Sequence, residues 1–227
     1  SSQSDGHNDS LVQGAGFGWR ADYKEGLSVP GGVGVLFYGG GNDEYTCGVF
    51  GQGVGYWLGM GLLVDREGND RYEGQWYVQG AAAHFAAGIL LDHRGDDHYE
   101  AHMNMAQGAG HDVSIGVLFD DAGNDHYQGA SLSLGAGNAS GLGLFVDRSG
   151  DDDYEATVGP SNFGYASPNR LGTLRAAIPA IGLFFDLAGE DHFPRNRGGD
   201  GGHWTNTPPP PASVLPGIAH GIDLRDE

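Results

Sequence analysis

The chain has 227 residues, 39% of them hydrophobic, with 11 Lys plus Arg against 30 Asp plus Glu and a formal charge of -19. That length supports a sizeable core, and that charge argues against nucleic acid or an anionic membrane surface as a partner. Cys47 is the only cysteine, which excludes an intrachain disulfide and a cysteine zinc site, and no apolar run approaches the ~20 residues of a membrane-inserted helix.

Residues 1–33 read as an N-terminal cap that carries an insertion in the first coil. From Gly34 onward one motif recurs: "GVLFYGGGNDEY" (34–45), "GLLVDREGNDRY" (61–72), "GILLDHRGDDHY" (88–99), "GVLFDDAGNDHY" (116–127), "GLFVDRSGDDDY" (143–154) and "GLFFDLAGEDHF" (182–193). The Asp after each apolar triplet gives markers at Asp65, Asp92, Asp120, Asp147 and Asp186, at intervals of 27, 28, 27 and 39 residues. A second Asp follows five residues later, at Asp70, Asp97, Asp125, Asp152 and Asp191; the first unit has Tyr38 at the marker but keeps Asp43. A fixed period of this size marks a solenoid, in which each repeat buries its apolar side only against its neighbours.

Within a unit the hydrophobic period is two. Tyr72, Gly74, Trp76 and Val78 alternate with Arg71, Glu73, Gln75 and Tyr77, the pattern of a half-buried strand. A Gln-Gly bend at Gln52, Gln79 and Gln107 leads to a second run such as His84–Ala87, and a glycine opens the next triplet. The chain is therefore predicted to be all-β, a parallel β-helix of about six coils over residues 34–193, with about 27 residues per coil, loop insertions in the first and last coils, and a Gly/Pro-rich extension over 194–227. Stacking sets Tyr45, Tyr72, Tyr99, Tyr127, Tyr154 and Phe193 in an aromatic column and the Gln residues in an amide ladder.

From the Gln position to the next triplet the four middle units use 9 residues, whereas Gln13–Gly34 and Ser161–Gly182 use 21. The 12 extra residues, around 20–31 and 167–179, stand about 24 Å apart at opposite ends of the stack. They either cap the solenoid ends or wall a groove. Alternation would turn Leu58, Phe85 and Val113 inward and leave Trp57, His84 and Asp112 side by side on the groove floor, with Tyr56, His111 and Asn138 beside them. A Trp next to a His and an Asp suits sugar stacking and proton transfer, which makes His84 and Asp112 the catalytic candidates and a glycan the candidate ligand.

Three consecutive apolar residues cannot all face one interior, so one row must point out. Leu36, Leu63, Leu90, Leu118, Phe145 and Phe184 are assigned to that row. Such a stripe would be covered by a second copy of the chain or by the tail "TNTPPPPASVLPGIAHGI" (205–222) laid along it as polyproline II.

Stacking also aligns the Asp pairs into two columns of like charge, which cations must offset unless each Asp simply caps its own turn. The turns Gly68-Asn69-Asp70-Arg71-Tyr72 and Gly123-Asn124-Asp125-His126-Tyr127 resemble the nonapeptide of calcium-binding RTX repeats, G-G-x-G-x-D followed by a hydrophobic residue, although Glu67, Arg94, Ala122 and Ser149 replace its first glycine. The resemblance implies calcium between stacked turns, held by Asp65, Asp70, Asp92, Asp97, Asp120, Asp125, Asp147, Asp152, Asp186 and Asp191. His93, His98, His126 and His192 flank these turns as candidate transition-metal ligands. The whole unit, G-x-L-x-D-x-x-G-x-D-x-Y, is similar to glycine- and aspartate-rich repeat proteins of bacteria, which implies a bacterial source and no particular chemistry. The expected function is a secreted or cell-surface structural or binding module, calcium-stabilised and self-associating. The alternative is a polysaccharide-active β-helix enzyme, a lyase or hydrolase.

Overall fold

The computed structural model describes residues 10–21, 26–157, 159–167, 174–195, 198–209 and 215–225. The chain is an all-β solenoid with a repeat of about 27 residues. Each coil runs through three strands, and each strand pairs in parallel with its equivalents one period away.

The long sheet contains the apolar triplets, stacked seven deep from Val33–Phe37 through Met60–Val64, Ala87–Asp92, Ile115–Asp120, Leu142–Asp147 and Ile181–Asp186 to Ile218–Asp223. A five-stranded sheet comprises Glu44–Val49, Arg71–Trp76, His98–Ala101, His126–Gly129 and Asp153–Ala156. The third side is a ladder of six two-residue strands from Gly16–Phe17 to Ala166–Ser167. Equivalent residues are in register, for example Leu90↔Leu118↔Phe145 and Asp92↔Asp120↔Asp147.

The interior is filled by one aliphatic or aromatic residue from the long sheet and one Tyr from the five-stranded sheet in each coil. The predicted aromatic column is present: Tyr45, Tyr72, Tyr99 and Tyr127 stack at 4.7–4.8 Å between ring centres, and Tyr154 continues to Phe193 at 4.8 Å. The glutamines do not form an amide ladder. Gln79 Nε2 instead donates to the Tyr72 and Glu100 carbonyls, at 2.9 and 3.1 Å, stitching its own coil to the next through backbone.

Three further sequence expectations are corrected. Leu63, Leu90, Leu118, Phe145 and Phe184 point inward and are fully buried, and Leu36 packs against the same core. The reason is register: the buried marker Asp two residues later shares their face. The outward rows are therefore the flanking residues of each triplet.

The run after the short strand is not an alternating strand. Trp57–Leu58, His84–Phe85, Asp112–Val113 and Ala139–Ser140 all have positive φ and make a left-handed corner. That corner turns Leu58 (51% exposed) and Phe85 (46%) outward while His84 and Asp112 are buried at 5% each.

The solenoid also continues past residue 193. Ile218–Asp223 pairs in parallel with Ile181–Asp186, bringing Asp223 beside Asp186, and His203–Trp204 adds an antiparallel strand on the end. Gly221 stands where other coils place a large inward residue, and a Cβ there would meet the Trp204 ring at 2.0 Å. Trp204 fills that space and closes the end of the core, packing on Phe184 and Phe193. The tail is thus a last coil in place of a strap, its residues 210–214 lying outside the described ones.

Candidate metal centre

The acidic turn begins where the long-sheet strand ends, so alternation directs the marker Asp into the core. At Asp65, Asp92 and Asp147 the two oxygens have separate partners, whereas Oδ1 of Asp120 and Asp186 is buried without one. Where it is partnered, Oδ1 accepts backbone N–H groups of its own turn, as in Arg94 N to Asp92 Oδ1 (3.2 Å) and Ser149 N to Asp147 Oδ1 (3.1 Å). Oδ2 accepts the tyrosine hydroxyl of the preceding coil: Tyr72 to Asp92 (2.5 Å), Tyr99 to Asp120 (2.6 Å), Tyr127 to Asp147 (2.6 Å), Tyr154 to Asp186 (2.5 Å), and Tyr45 to Asp65.

The second Asp is bonded across coils instead of within its turn. Its Oδ1 accepts the N–H of the equivalent Asp one coil earlier: Asp43 N to Asp70 (2.7 Å), Asp70 N to Asp97 (2.6 Å), Asp97 N to Asp125 (2.6 Å), Asp125 N to Asp152 (2.7 Å) and Asp152 N to Asp191 (2.7 Å). The residue before it runs a ladder of opposite sense, as in Asp96 N to Asn69 Oδ1 (3.2 Å) and Asn124 N to Asp96 Oδ1 (2.9 Å). Glycine is obligatory one step earlier still: a Cβ on Gly95 would meet the Gly68 carbonyl oxygen at 1.4 Å.

This arrangement leaves one oxygen over. Oδ2 of Asp70, Asp97, Asp125, Asp152 and Asp191 is buried without a hydrogen-bond partner. Asp70, Asp97, Asp125 and Asp152 lie in carboxylate clusters that bridge two coils: Asp43/Asp65/Asp70, Asp70/Asp92/Asp97, Asp97/Asp120/Asp125 and Asp125/Asp147/Asp152, each with ligand atoms within 4.8 Å of one another. Burial, reinforced by neighbouring carboxylates, pushes Asp97 up to about 9, Asp152 to about 10 and Asp125 to about 11. It pushes the markers Asp92, Asp120 and Asp147 to about 7. A buried carboxylate with an orphaned oxygen either holds a proton or binds a cation, and an all-oxygen donor set suits a hard divalent ion.

The sequence-predicted aspartates are therefore all brought to this column, and Asp43 and Asp223 extend it at its two ends. Asp223 was hidden because His220-Gly221-Ile222 replaces the apolar triplet and Ala219 the glycine that opens it; the spacing from Ala219 to Asp223 equals that from Gly182 to Asp186. Of the flanking histidines, His98 and His126 face outward on the five-stranded sheet, where they stack at 4.7 Å and His126 pairs with Asp153 at 3.2 Å, while His93 follows the long-sheet strand and lies 3.7 Å from Asp121, and His192 bridges to Asp153.

The second predicted constellation is also assembled, in a different setting. His84 Nδ1 lies 2.7 Å from Asp112 Oδ2, Tyr56 meets the His84 ring edge-on at 5.3 Å, and Asn138 contacts His111 at 3.2 Å. Both insertions reach over it. Arg20, from the first, donates to His84 Nε2 at 2.7 Å with its guanidinium 5.3 Å from the Trp57 ring centre. Arg175, from the last, pairs with Asp112 Oδ1 at 2.6 Å.

Burial alone would raise the Asp112 carboxyl; the His84 hydrogen bond and the Arg175 charge more than reverse that and hold it below the usual range. Burial, with the neighbouring His84, pulls His111 down to about 4. The ends of the insertions thus converge on one sealed polar cluster. Residues 22–25 and 168–173 of these insertions lie outside the described ones.

Comparison of the chain with protein-family models, with curated proteins and with solved structures finds no match.

Proposed function

We propose that this is a structural repeat module of a secreted or surface-located protein, whose acidic turns hold calcium ions between successive coils. The observation that carries this reading is the repeated orphaned oxygen. Oδ2 of Asp70, Asp97, Asp125, Asp152 and Asp191 is buried without a partner, coil after coil, and the first four of these residues lie in clusters of three carboxylates. Burying an unpaired charge once is costly, and repeating it at five successive aspartates makes sense as ligation. The Asp side chains and turn glycines match the RTX-like pattern of the sequence, and an oxygen-only site of modest charge suits the millimolar calcium found outside cells. The scaffold reading is favoured over glycan cleavage because His84 and Asp112 are each covered by an arginine.

The test is thermal unfolding after exhaustive EDTA treatment, with calcium and then magnesium restored and bound metal counted by native mass spectrometry. Each site filled at a hundredfold excess over Kd adds about 2.7 kcal/mol, so several ions should raise Tm by well over 10 °C, taking roughly 2–4 °C per kcal/mol for a chain of this size. Asp97→Asn keeps the Oδ1 acceptor but removes the charge; it should stabilise the metal-free protein and shrink the calcium response. An unchanged Tm with no bound ion would mean that these carboxyls keep their protons, and the reading would be lost.

A further inference from the structure

We propose that the outer face of the long sheet is a docking surface for a second copy of this chain. The seven parallel strands each direct three side chains outward, and His220 is the only polar one among them. The central outward row reads Val35, Leu62, Ile89, Val117, Leu144 and Leu183, in register from coil to coil. Val33, Val35 and Phe37 are 71%, 59% and 63% exposed, and an apolar groove of about 460 Å³ beside Leu58, Phe85 and Ile115 widens the face toward the left-handed corner.

A chain with charge -19 gains nothing in solubility from an unbroken apolar sheet face, and a contiguous patch of this size marks an interface.

The occupant is argued from area, charge and elimination. Six steps of about 4.8 Å by three outward rows give a footprint of roughly 550 Å², so two such faces bury about 1,100 Å² together, above the roughly 1,000 Å² of a specific interface. The face is a regular lattice of branched side chains, which a two-fold-related copy can match with its own.

Its rim beyond the strand ends is mixed in sign: Arg148 pairs with Asp121, and His93 lies 3.7 Å from the same carboxylate. Excess acid is carried instead by the five-stranded sheet, through Glu73, Glu100, Asp153 and Glu155, so apposition of the long sheets does not bring the acidic faces together. Among the described residues, Val33, Val35, Phe37, Met60, Ile115 and Ile218 of this face stay exposed. The segments outside the described residues read "SSQSDGHND", "DYKE", "V", "PNRLGT", "NR", "PPASV" and "DE", too short or too polar to cover seven strands.

The inference does not rest on cation binding. Sedimentation velocity at tens of micromolar, in calcium and again in EDTA, should give twice the chain mass of 23.8 kDa. Val117→Lys, at the centre of the face, should weaken association at least a hundredfold while circular dichroism stays native; the gentler Val117→Thr with Leu144→Thr should weaken it in the same direction if the lysine variant does not fold. Glu155→Lys on the five-stranded sheet should leave the dimer intact. A folded monomer at these concentrations overturns the proposal and leaves the calcium reading standing. A dimer indifferent to the Val117 variants also overturns it, as does a monomer that floats with neutral phosphatidylcholine vesicles, which would make lipid the occupant.

Discussion

The hydroxyl of Tyr99 donates to Oδ2 of Asp120 at 2.6 Å, joining the aromatic column of one coil to the acidic column of the next. Both residues are fully buried, so the bond has no water to replace it. Tyr99→Phe leaves the stacking intact but strands a buried carboxylate oxygen. The expected loss is about 1–3 kcal/mol, read as a Tm lower by several degrees. Phe193 occupies this column without a hydroxyl, and there the last carboxylate, Asp223, accepts the Gly201 N–H on Oδ1 at 2.8 Å while its Oδ2 is buried without a partner. Phe193→Tyr should therefore supply the missing donor and raise Tm.

Gly95→Ala should be among the most damaging single changes in the chain. The added methyl would overlap the Gly68 carbonyl at 1.4 Å, in a backbone with φ near +152°. The coils must separate locally, costing about 3 kcal/mol or more and breaking the Asp70–Asp97 ladder bond. Chemical denaturation measures the loss; a midpoint within error of wild type would refute the tight stacking of the turns.

Neighbouring residues of one triplet should respond differently. Leu118→Ala opens a cavity in the core and should cost about 2–5 kcal/mol, whereas Val117→Ala trims the outer face and should cost under about 1 kcal/mol in a monomeric background. Equal effects would mean that the assigned register is wrong.

His111 provides the pH dependence. Its folded pKa of about 4 lies below the ordinary 6.5, so the unfolded chain binds the extra proton between those values. Its contribution is complete above pH 6.5 and disappears as pH falls toward 4, by at most about 3 kcal/mol. The stability difference between wild type and His111→Gln should therefore change across that window and be flat above pH 7. A difference independent of pH would sink this assignment.

The coils and the aromatic column were legible because repetition and a period of two are written directly in residue types. The direction of the triplet has a signal as well: Asp65 is an inward residue, so Leu63 two positions earlier shares its face, but an Asp is ordinarily expected in water, which hides that signal. The left-handed corner could not be read, because Leu58, Phe85 and Val113 are bulky or β-branched residues at which positive φ is rare. The reach of Arg20 and Arg175 onto His84 and Asp112 is a long-range packing result with no local signature. The last coil was concealed by Gly221, whose missing side chain is supplied from elsewhere by Trp204.

The opposed ladders at Asp70–Asp97 and Asn69–Asp96 have a consequence for how the chain can vary in length. Each interior turn gives the same bond downward and upward that its neighbours give to it, so the stack looks alike after translation by one coil. The number of coils is thereby quantised, although the residues spent between turns are not, as the 28-residue step from Asp97 to Asp125 shows. Removing or duplicating a full period restores every bond between the new neighbours, while a shift of one residue misaligns both ladders at once. The interval from Asp147 to Asp186 shows the rule at work: the 39-residue spacing still pairs these two residues in register, with the surplus set aside as an insertion.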